Sequence, residues 1–240
     1  MKTPIIDMEN VSLFFPYQLS PINWIKGLFL GIKKPPFCAL KNINLKVYKG
    51  EVLGIIGRNG SGKSTILRVM SGIYPADEGR VLGHGVQTLL AGLGTGFSTH
   101  QTGRENAFIF GSILGKTYNE INEKLDDIIE FSELSEFIDQ PLRTYSAGMK
   151  ARLGLAVAGA INPDILLIDE VLGVGDPQFR DKSMKRILSM VEEASTVVIV
   201  SHSFGLMKNI CNRIAHIHKG EIVYVGEPEE AIKSYYEISD

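Results

Sequence analysis

Gly57-Arg58-Asn59-Gly60-Ser61-Gly62-Lys63-Ser64 sets glycine, lysine and hydroxyl residues in the spacing G-x-x-x-x-G-K-[ST]. The run lies between an apolar stretch ending in glycine, EVLGIIG, and a segment with helical spacing, STILRVMSGI. Glycines let such a loop wrap until successive backbone N–H groups point inward, and the helix start adds partial positive charge. Lys63 can then reach the β and γ phosphates of a nucleotide, and Ser64 can ligate Mg²⁺. Without its flanks the run would be a glycine-rich turn with a surface lysine. With a strand before it and a helix after it, the loop reads as one built for a triphosphate.

Three further features could act on that group. Ile165-Leu166-Leu167-Ile168-Asp169-Glu170 is a buried-type strand ending in two carboxylates, at the edge where α/β sheets bind ligands. Asp169 is the candidate Mg²⁺ partner, direct or through water, and Glu170 the candidate base that polarises an attacking water. Tyr145-Ser146-Ala147-Gly148-Met149-Lys150 precedes the helix MKARLGLAVAGAI, with Ser146 as N-cap and Gly148 permitting close approach. A capped helix start is ordinary in itself and is also a phosphate site, so both readings stand. His202 follows the apolar run TVVIV and a serine. It is either a structural histidine or a hydrogen-bond partner for a γ-phosphate or its attacking water.

These groups need a parallel sheet to hold them. EVLGIIG, DILLIDE and TVVIVSH are continuous apolar runs, the pattern of strands covered on both faces. IIDMENVSLFF reads as a strand, and in Cys38–Tyr48 the apolar Leu40, Ile43, Leu45 and Val47 mostly alternate with polar residues, as in a half-buried antiparallel strand. Leu90 to Phe97 is glycine-rich, and from about Thr102 to Ile161 the spacing is mainly helical, including ENAFIFGSILG and YNEINEKLDDIIEFSELSEFI. RIAHIHKGEIVYVGE predicts a hairpin turning at Lys219-Gly220, and a short helix follows Pro228. The expected fold is therefore α/β, a parallel-sheet core with an antiparallel β portion and an inserted helical one.

Length and composition set bounds. The chain has 240 residues, room for one large domain with insertions, and its 44% apolar and 22% charged content excludes disordered, collagen-like and coiled-coil classes. Lys+Arg 25 against Asp+Glu 27 leaves a net charge of −2, which argues against nonspecific nucleic-acid binding by counterion release. Cys38 and Cys211 form no CxxC pair, so neither a disulfide framework nor a zinc cluster is indicated and a reduced, cytosolic setting fits. The start, MKTPIIDMENVSL, has no signal-peptide pattern. The greasiest stretch, Ile22 to Ile32, is interrupted by Lys26 and two glycines and is too short to span a bilayer.

In order, GRNGSGKS, YSAGM, ILLIDE, VLGVGD and the histidine of VSH resemble the Walker A, signature, Walker B, D-loop and switch-histidine elements of ABC-type ATPases, over nearly the whole chain. The resemblance implies a P-loop NTPase (RecA-like) fold in a single domain, 1–240. Its catalytic core and β subdomain would occupy 1–90 and 162–240, and its helical subdomain 91–161. It implies ATP and Mg²⁺ as cofactors. Gly57, Arg58, Asn59, Gly60, Ser61, Gly62, Lys63, Ser64, Thr65 and Asp169 would hold the nucleotide, with Ser64 and Asp169 at the metal. Lys63, Glu170 and His202 would carry catalysis. Two subunits would sandwich two ATP molecules head to tail, so that Ser146 and Gly148 contact the nucleotide held by the partner's Lys63 and Ser64, and Asp176 helps link the sites. Adenine would stack on an aromatic after the first strand; Phe15 fits the spacing best, with Phe14 and Tyr17 competing.

Finer features resemble the ATPases that export lipid-linked polysaccharides such as O-antigen, capsule or teichoic acid. These are GLGTGFSTHQTGREN from Gly92 to Asn106, YSAGM in place of LSGGQ, and the insertion before Ala39-Leu40. In such exporters the insertion, 16–37 here, is a gate helix, so Trp24, Ile25, Leu28 and Phe29 become candidates for contact with a transmembrane subunit or lipid headgroups; a local satellite core is the alternative. The expected partners are a second copy and integral membrane permease subunits, with the polysaccharide met only indirectly and no nucleic acid. The expected location is peripheral, on the cytoplasmic face of the inner (cell) membrane. Two departures stand out. The family's glutamine after the strand preceding the helical subdomain would fall near Ala91 and Gly92, and Gln87 is several residues early. The carbohydrate-binding domain that some O-antigen ATPases carry at the C-terminus does not follow before Asp240. An ABC ATPase with another transported substrate, or a soluble one acting on nucleic acid or ribosomes, is the alternative function. A long coiled-coil insertion or a second ATPase half would mark the soluble class, and neither pattern occurs within these 240 residues. A P-loop kinase or GTPase would leave YSAGM and His202 unexplained.

Overall fold

Strands whose residues are apolar without interruption lie where both faces are covered, and the computed structural model places them in the middle of the molecule. It describes residues 3–16, 35–85, 87–90, 96–160, 163–169, 177–194 and 196–239. A three-stranded antiparallel sheet contains β1 (Pro4–Phe15), β2 (Phe37–Tyr48) and β4 (Glu78–Gly83), in the order β2-β1-β4. A six-stranded sheet contains β3 (Val52–Ile56), β5 (Gln87–Leu90), β6 (Ile165–Asp169), β7 (Thr196–Val200), β8 (Arg213–His218) and β9 (Glu221–Gly226), in the order β5-β6-β7-β3-β8-β9. Within it β5, β6, β7, β3 and β8 pair in parallel, and β9 pairs antiparallel with β8. The turn between β8 and β9 is at Lys219 and Gly220, both with positive φ (48° and 82°), as a two-residue hairpin demands.

The period of two divides the apolar runs between two cores. Leu53, Ile55, Ile165, Leu167, Val198 and Val200 join Ile6, Val11, Leu40 and Ile43 of the antiparallel sheet and Ile66 and Leu67 of α1 (Lys63–Met70). Ile56, Leu166, Ile168, Val197 and Ile199 point the other way, toward the helical side. A fully buried aliphatic side chain contributes about 1.5–3 kcal/mol relative to exposure, so both faces reinforce one register. The imperfect alternation in β2 has a local cause. Asn42 (φ 50°) sits in a register shift between the Val11–Ile43 and Leu13–Leu40 pairs, and Asn10 (φ 51°) in the matching shift on β1. Two bulges, one in each strand, compensate one another and return the apolar side chains to a single face.

The helical portion departs from its sequence pattern. α2 (Gly103–Ile113), α3 (Tyr118–Glu123), α4 (Leu125–Ser132) and α5 (Ala147–Gly159) are separate helices, and YNEINEKLDDIIEFSELSEFI is not continuous. The chain breaks at Lys124, which caps both α3 and α4, and at Glu133, whose φ of 57° closes α4 in the left-handed region. Glu133 then accepts from Arg152 of α5 and from Lys182 of α6 (Pro177–Glu193), both at 2.8 Å. Thr102 with Glu105, and Thr117 with Glu120, form capping boxes that start α2 and α3. Residues 133–146 hold the 3₁₀ turn Leu142–Thr144 and a single β-bridge from Pro141 to Thr102. Four elements, β4, β5, α6 and α7 (Phe204–Ile210), have no clear mark in the sequence, since β4 is mostly exposed, β5 has four residues and the helices are short or charged. The last helix, α8 (Pro228–Ser239), packs on β8, β9 and α7.

Asn106 is fully buried on α2, accepts from Ser98 N–H (2.7 Å) and donates to the carbonyls of Ser98, Gln101 and Thr102. It ties the 98–102 loop to the helix start. Asn106→Ala should therefore lower unfolding free energy by about 1–3 kcal/mol, read from urea denaturation, because it leaves the half-buried Ser98 N–H and the loop carbonyls without their partner. His216 on β8 is also buried, with Nδ1 2.9 Å from Ser234 Oγ of α8. Burial, with His218 nearby, holds its pKa below the usual 6.5. The folded state thus favours the neutral ring. Its contribution is intact above the unfolded pKa and declines as pH falls below it. Between about pH 7.5 and about pH 5.5 the melting temperature should fall less for His216→Gln than for the parent.

Candidate functional site

The geometry starts from the parallel ladder. Ile55 of β3 pairs with Val200 of β7, and Val200 pairs with Asp169 of β6, so three strand ends stand at one level. The chain leaving β3 forms the loop Gly57 to Gly62. A Cβ on Gly57 would fall 2.3 Å from the Ile217 carbonyl oxygen, so the loop can lie against β8 only with glycine there. Gly62, at φ 110°, delivers the chain into α1 in a conformation that side chains rarely adopt. Ser61 N–H donates to the Arg58 carbonyl (3.1 Å), and Gly220 N–H donates to the Ser61 carbonyl (2.9 Å), which pins the loop to the β8–β9 turn.

Lys63 is buried and donates from Nζ to the Gly57 carbonyl (2.9 Å) and the Arg58 carbonyl (3.1 Å), crossing its own loop. Among the described residues Ser61 Oγ has no hydrogen-bond partner; it is buried beside Gly57, on the side of the loop that faces Ile217. Ser64 Oγ donates to Asp169 Oδ1 at 3.0 Å, bringing together residues 105 apart in sequence. A hydroxyl and a carboxylate oxygen at that separation are hard donors suited to Mg²⁺, and the buried Lys63 ammonium suits anionic oxygens, so the residues present fit a magnesium nucleotide.

Beside this loop lies a cleft of about 470 Å³ lined by Phe15, Phe37, Ala39, Asn59, Gly60, Gly62, Lys63, Ser64 and Thr65. Phe15 stands edge-on to Tyr74, with centroids 5.7 Å apart, and pairs in register with Phe37. Phe37 is 51% exposed, an aromatic face open to the cleft that the sequence reading did not consider. Its position after Pro35-Pro36, opposite Phe15, was the available signal. Phe14 faces the other side of β1, into a separate cleft with Asn10, Ser12 and Cys38, which removes it as a stacking partner. Tyr17 lies outside the described residues.

The other candidates are placed as follows. His202 is exposed just beyond β7, between buried Ser201 and exposed Ser203, whose N–H donates to Ser201 Oγ (3.1 Å). Arg58 is exposed on the loop. Ser146 caps α5, its Oγ accepting from Met149 N–H (3.1 Å), and Gly148 lies in the first turn, half-buried beside the exposed Ser146 at the helix tip. Tyr145 anchors that tip: it donates to the Phe137 carbonyl (2.6 Å), and burial pushes its pKa up to about 12, so it remains a donor. Gln87 stands at the start of β5, opposite Ile165, on the strand next to β6 but at the other strand end from Asp169. Glu170, Asp176, Ala91, Gly92 and the greasy residues Trp24, Ile25, Leu28 and Phe29 lie outside the described residues.

Comparison with known proteins gives these features a family. The ABC transporter model matches residues 40–173. The teichoic acids export ATP-binding protein TagH of Enterococcus faecalis is 47% identical over 203 residues, covering 85% of this chain and 45% of that protein. The O-antigen export system ATP-binding protein RfbB of Myxococcus xanthus is 44% identical over 216 residues, 90% of this chain and 49% of that protein. The chain thus spans about half the length of these two relatives. RfbB of Klebsiella pneumoniae is 38% identical over 239 residues, 97% of each. Among solved structures, an ATP-binding subunit of an ABC transporter superposes with a TM-score of 0.74 at 16% identity, covering 97% of this chain and 93% of that one. A dimeric ATP-binding cassette bound to ADP and Pi gives 0.70 at 22%, covering 93% and 98%. These likenesses show the P-loop NTPase fold, and with relatives of this identity and extent the chain belongs to the ABC transporter family.

Proposed function

We propose that this chain binds ATP with Mg²⁺ and hydrolyses it as the ATP-binding subunit of an exporter of lipid-linked polysaccharide. The observation that carries ATP chemistry is the Ser64–Asp169 contact across the sheet edge, beside a glycine loop whose lysine is buried on its own carbonyls. Lys63 would exchange those two neutral acceptors for phosphate oxygens, a stronger charge-assisted pairing. Ser64 and Asp169 would hold the metal, whose charge offsets that of the β and γ phosphates when bound. Phe15 and Phe37 offer the adenine ring two aromatic surfaces. Glu170 would orient the attacking water, His202 would donate to the γ-phosphate, and the water oxygen would bond to phosphorus in line as the β–γ bridge opens.

Ser146 and Gly148 would face the nucleotide of a second copy, with Asp176 between the sites; the open N-cap at the start of α5 supports that reading. A core and β subdomain at 1–90 and 162–240, a helical subdomain at 91–161 and a gate segment at 16–37 follow from the same reading. Permease subunits would anchor the pair at the cytoplasmic face of the cell membrane; among the described residues no helix is long and apolar enough to cross it. The polysaccharide substrate is supported by the TagH and RfbB likenesses, not by the phosphate site.

Glu170→Gln should keep ATP affinity, measured by calorimetry, while turnover falls at least about 100-fold. Undiminished turnover would remove Glu170 as the base. Lys63→Ala should instead weaken binding of magnesium ATP itself. In the native cell, depletion of the chain should leave lipid-linked glycan on the cytoplasmic leaflet; normal surface glycan together with loss of uptake of a small solute would identify an importer.

A further inference from the structure

α7 begins at Phe204, two residues after His202, so whatever seats this short helix also seats the histidine. Two surfaces hold it. On one side Met207 lies over Gly54 of β3, where a Cβ would fall 2.6 Å from Met207 Cε. On the other side is α8: Phe204 stands edge-on to Tyr235 (centroids 5.0 Å apart) and to Tyr236 (5.8 Å), and Lys208 pairs with Glu229 at 2.6 Å. α8 is in turn fixed to β8 through His216 and Ser234 (2.9 Å), with the Tyr235 ring 5.6 Å from that imidazole. The aromatic contact is the directional part of this chain of packing, because edge-to-face rings fix angle as well as distance. An exposed Lys–Glu pair adds little by itself.

The geometry points to Phe204 and Tyr235 as positioning residues that hold His202 at the phosphate edge, so that seating of the C-terminal helix α8 governs turnover and not nucleotide capture. This rests on the proposed role of His202 in hydrolysis. Gly57–Ser64 and Asp169 are fixed by other contacts, the β8–β9 turn and the β6–β7 ladder, so a shift of α7 leaves them in place. A displacement of His202 near 1 Å can cost up to about 100-fold in rate, whereas binding through the phosphate loop is unaffected.

The test uses the full chain, with ATP turnover and calorimetric ATP affinity measured on each variant. Tyr235→Ala should lower kcat about tenfold with Kd within about twofold of the parent, and Tyr235→Phe, which keeps the ring, should match the parent. In a His202→Ala background Tyr235→Ala should add no further loss, since it acts through that histidine. Parent-like kcat in Tyr235→Ala, an equal loss in both backgrounds, or a loss carried by Kd would each overturn the proposal. If Tyr235→Ala does not fold, as judged by circular dichroism, Tyr235→Leu is held to the same criteria. Parent-like turnover in His202→Ala alone would sink the role of His202 itself, a result distinguishable from the others.

Discussion

The site depends on the register of a parallel ladder. Ile55, Val200 and Asp169 stand level because β7 hydrogen-bonds to β3 on one side and β6 on the other, and each strand's apolar residues are divided between two cores. A slip of one residue in β6 would turn Leu167 toward the wrong core and carry Asp169 to the opposite face of the sheet. The metal-suited contact between Ser64 and Asp169 is thus held by hydrophobic packing some distance below it. The phosphate loop is fitted in the same manner, with Gly57 against the Ile217 carbonyl and Ser61 tied to Gly220. Capture of an anion therefore needs little ordering at the moment of binding, which is how preorganisation raises affinity.

The helical portion is built differently. Its order comes from buried polar anchors and caps as much as from apolar spacing: Asn106 satisfies the 98–102 loop, Tyr145 the 137 carbonyl, and Glu133 gathers Arg152 and Lys182 from two helices. Arg152 also lies 4.5 Å over the Phe179 ring on α6. The capped tip at Ser146 is therefore braced from behind while its front stays open. A helix start arranged in this way is suited to meeting a ligand carried by another chain.

Several elements were legible in the sequence because their signals are local. The β8–β9 turn needs two residues with positive φ, and Lys219-Gly220 supplies them; Pro228 opens α8 where a missing N–H has no consequence. Continuous apolar runs marked β3, β6 and β7. The misses share a cause. β4 has almost no buried face, α6 is charged along its length, and the break at Glu133 depends on cations from helices far along the chain. Phe37 escaped notice for a similar reason: an exposed aromatic at a strand start gains meaning only from the neighbours that pairing brings to it.

The sequence by itself determined the phosphate loop, the strands that carry Asp169 and the histidine, and the α/β order of elements. Glycine spacing, apolar periodicity and capping act over a few residues, so each leaves its mark in the local text. The tertiary structure alone decided which strand ends stand together, that Ser64 meets Asp169, that Phe37 and not Phe14 shares the cleft with Phe15, and that Gln87 stands at the opposite strand end from Asp169. Those outcomes are set by strand order and by the burial of two opposite faces, and neither is a property of any one segment.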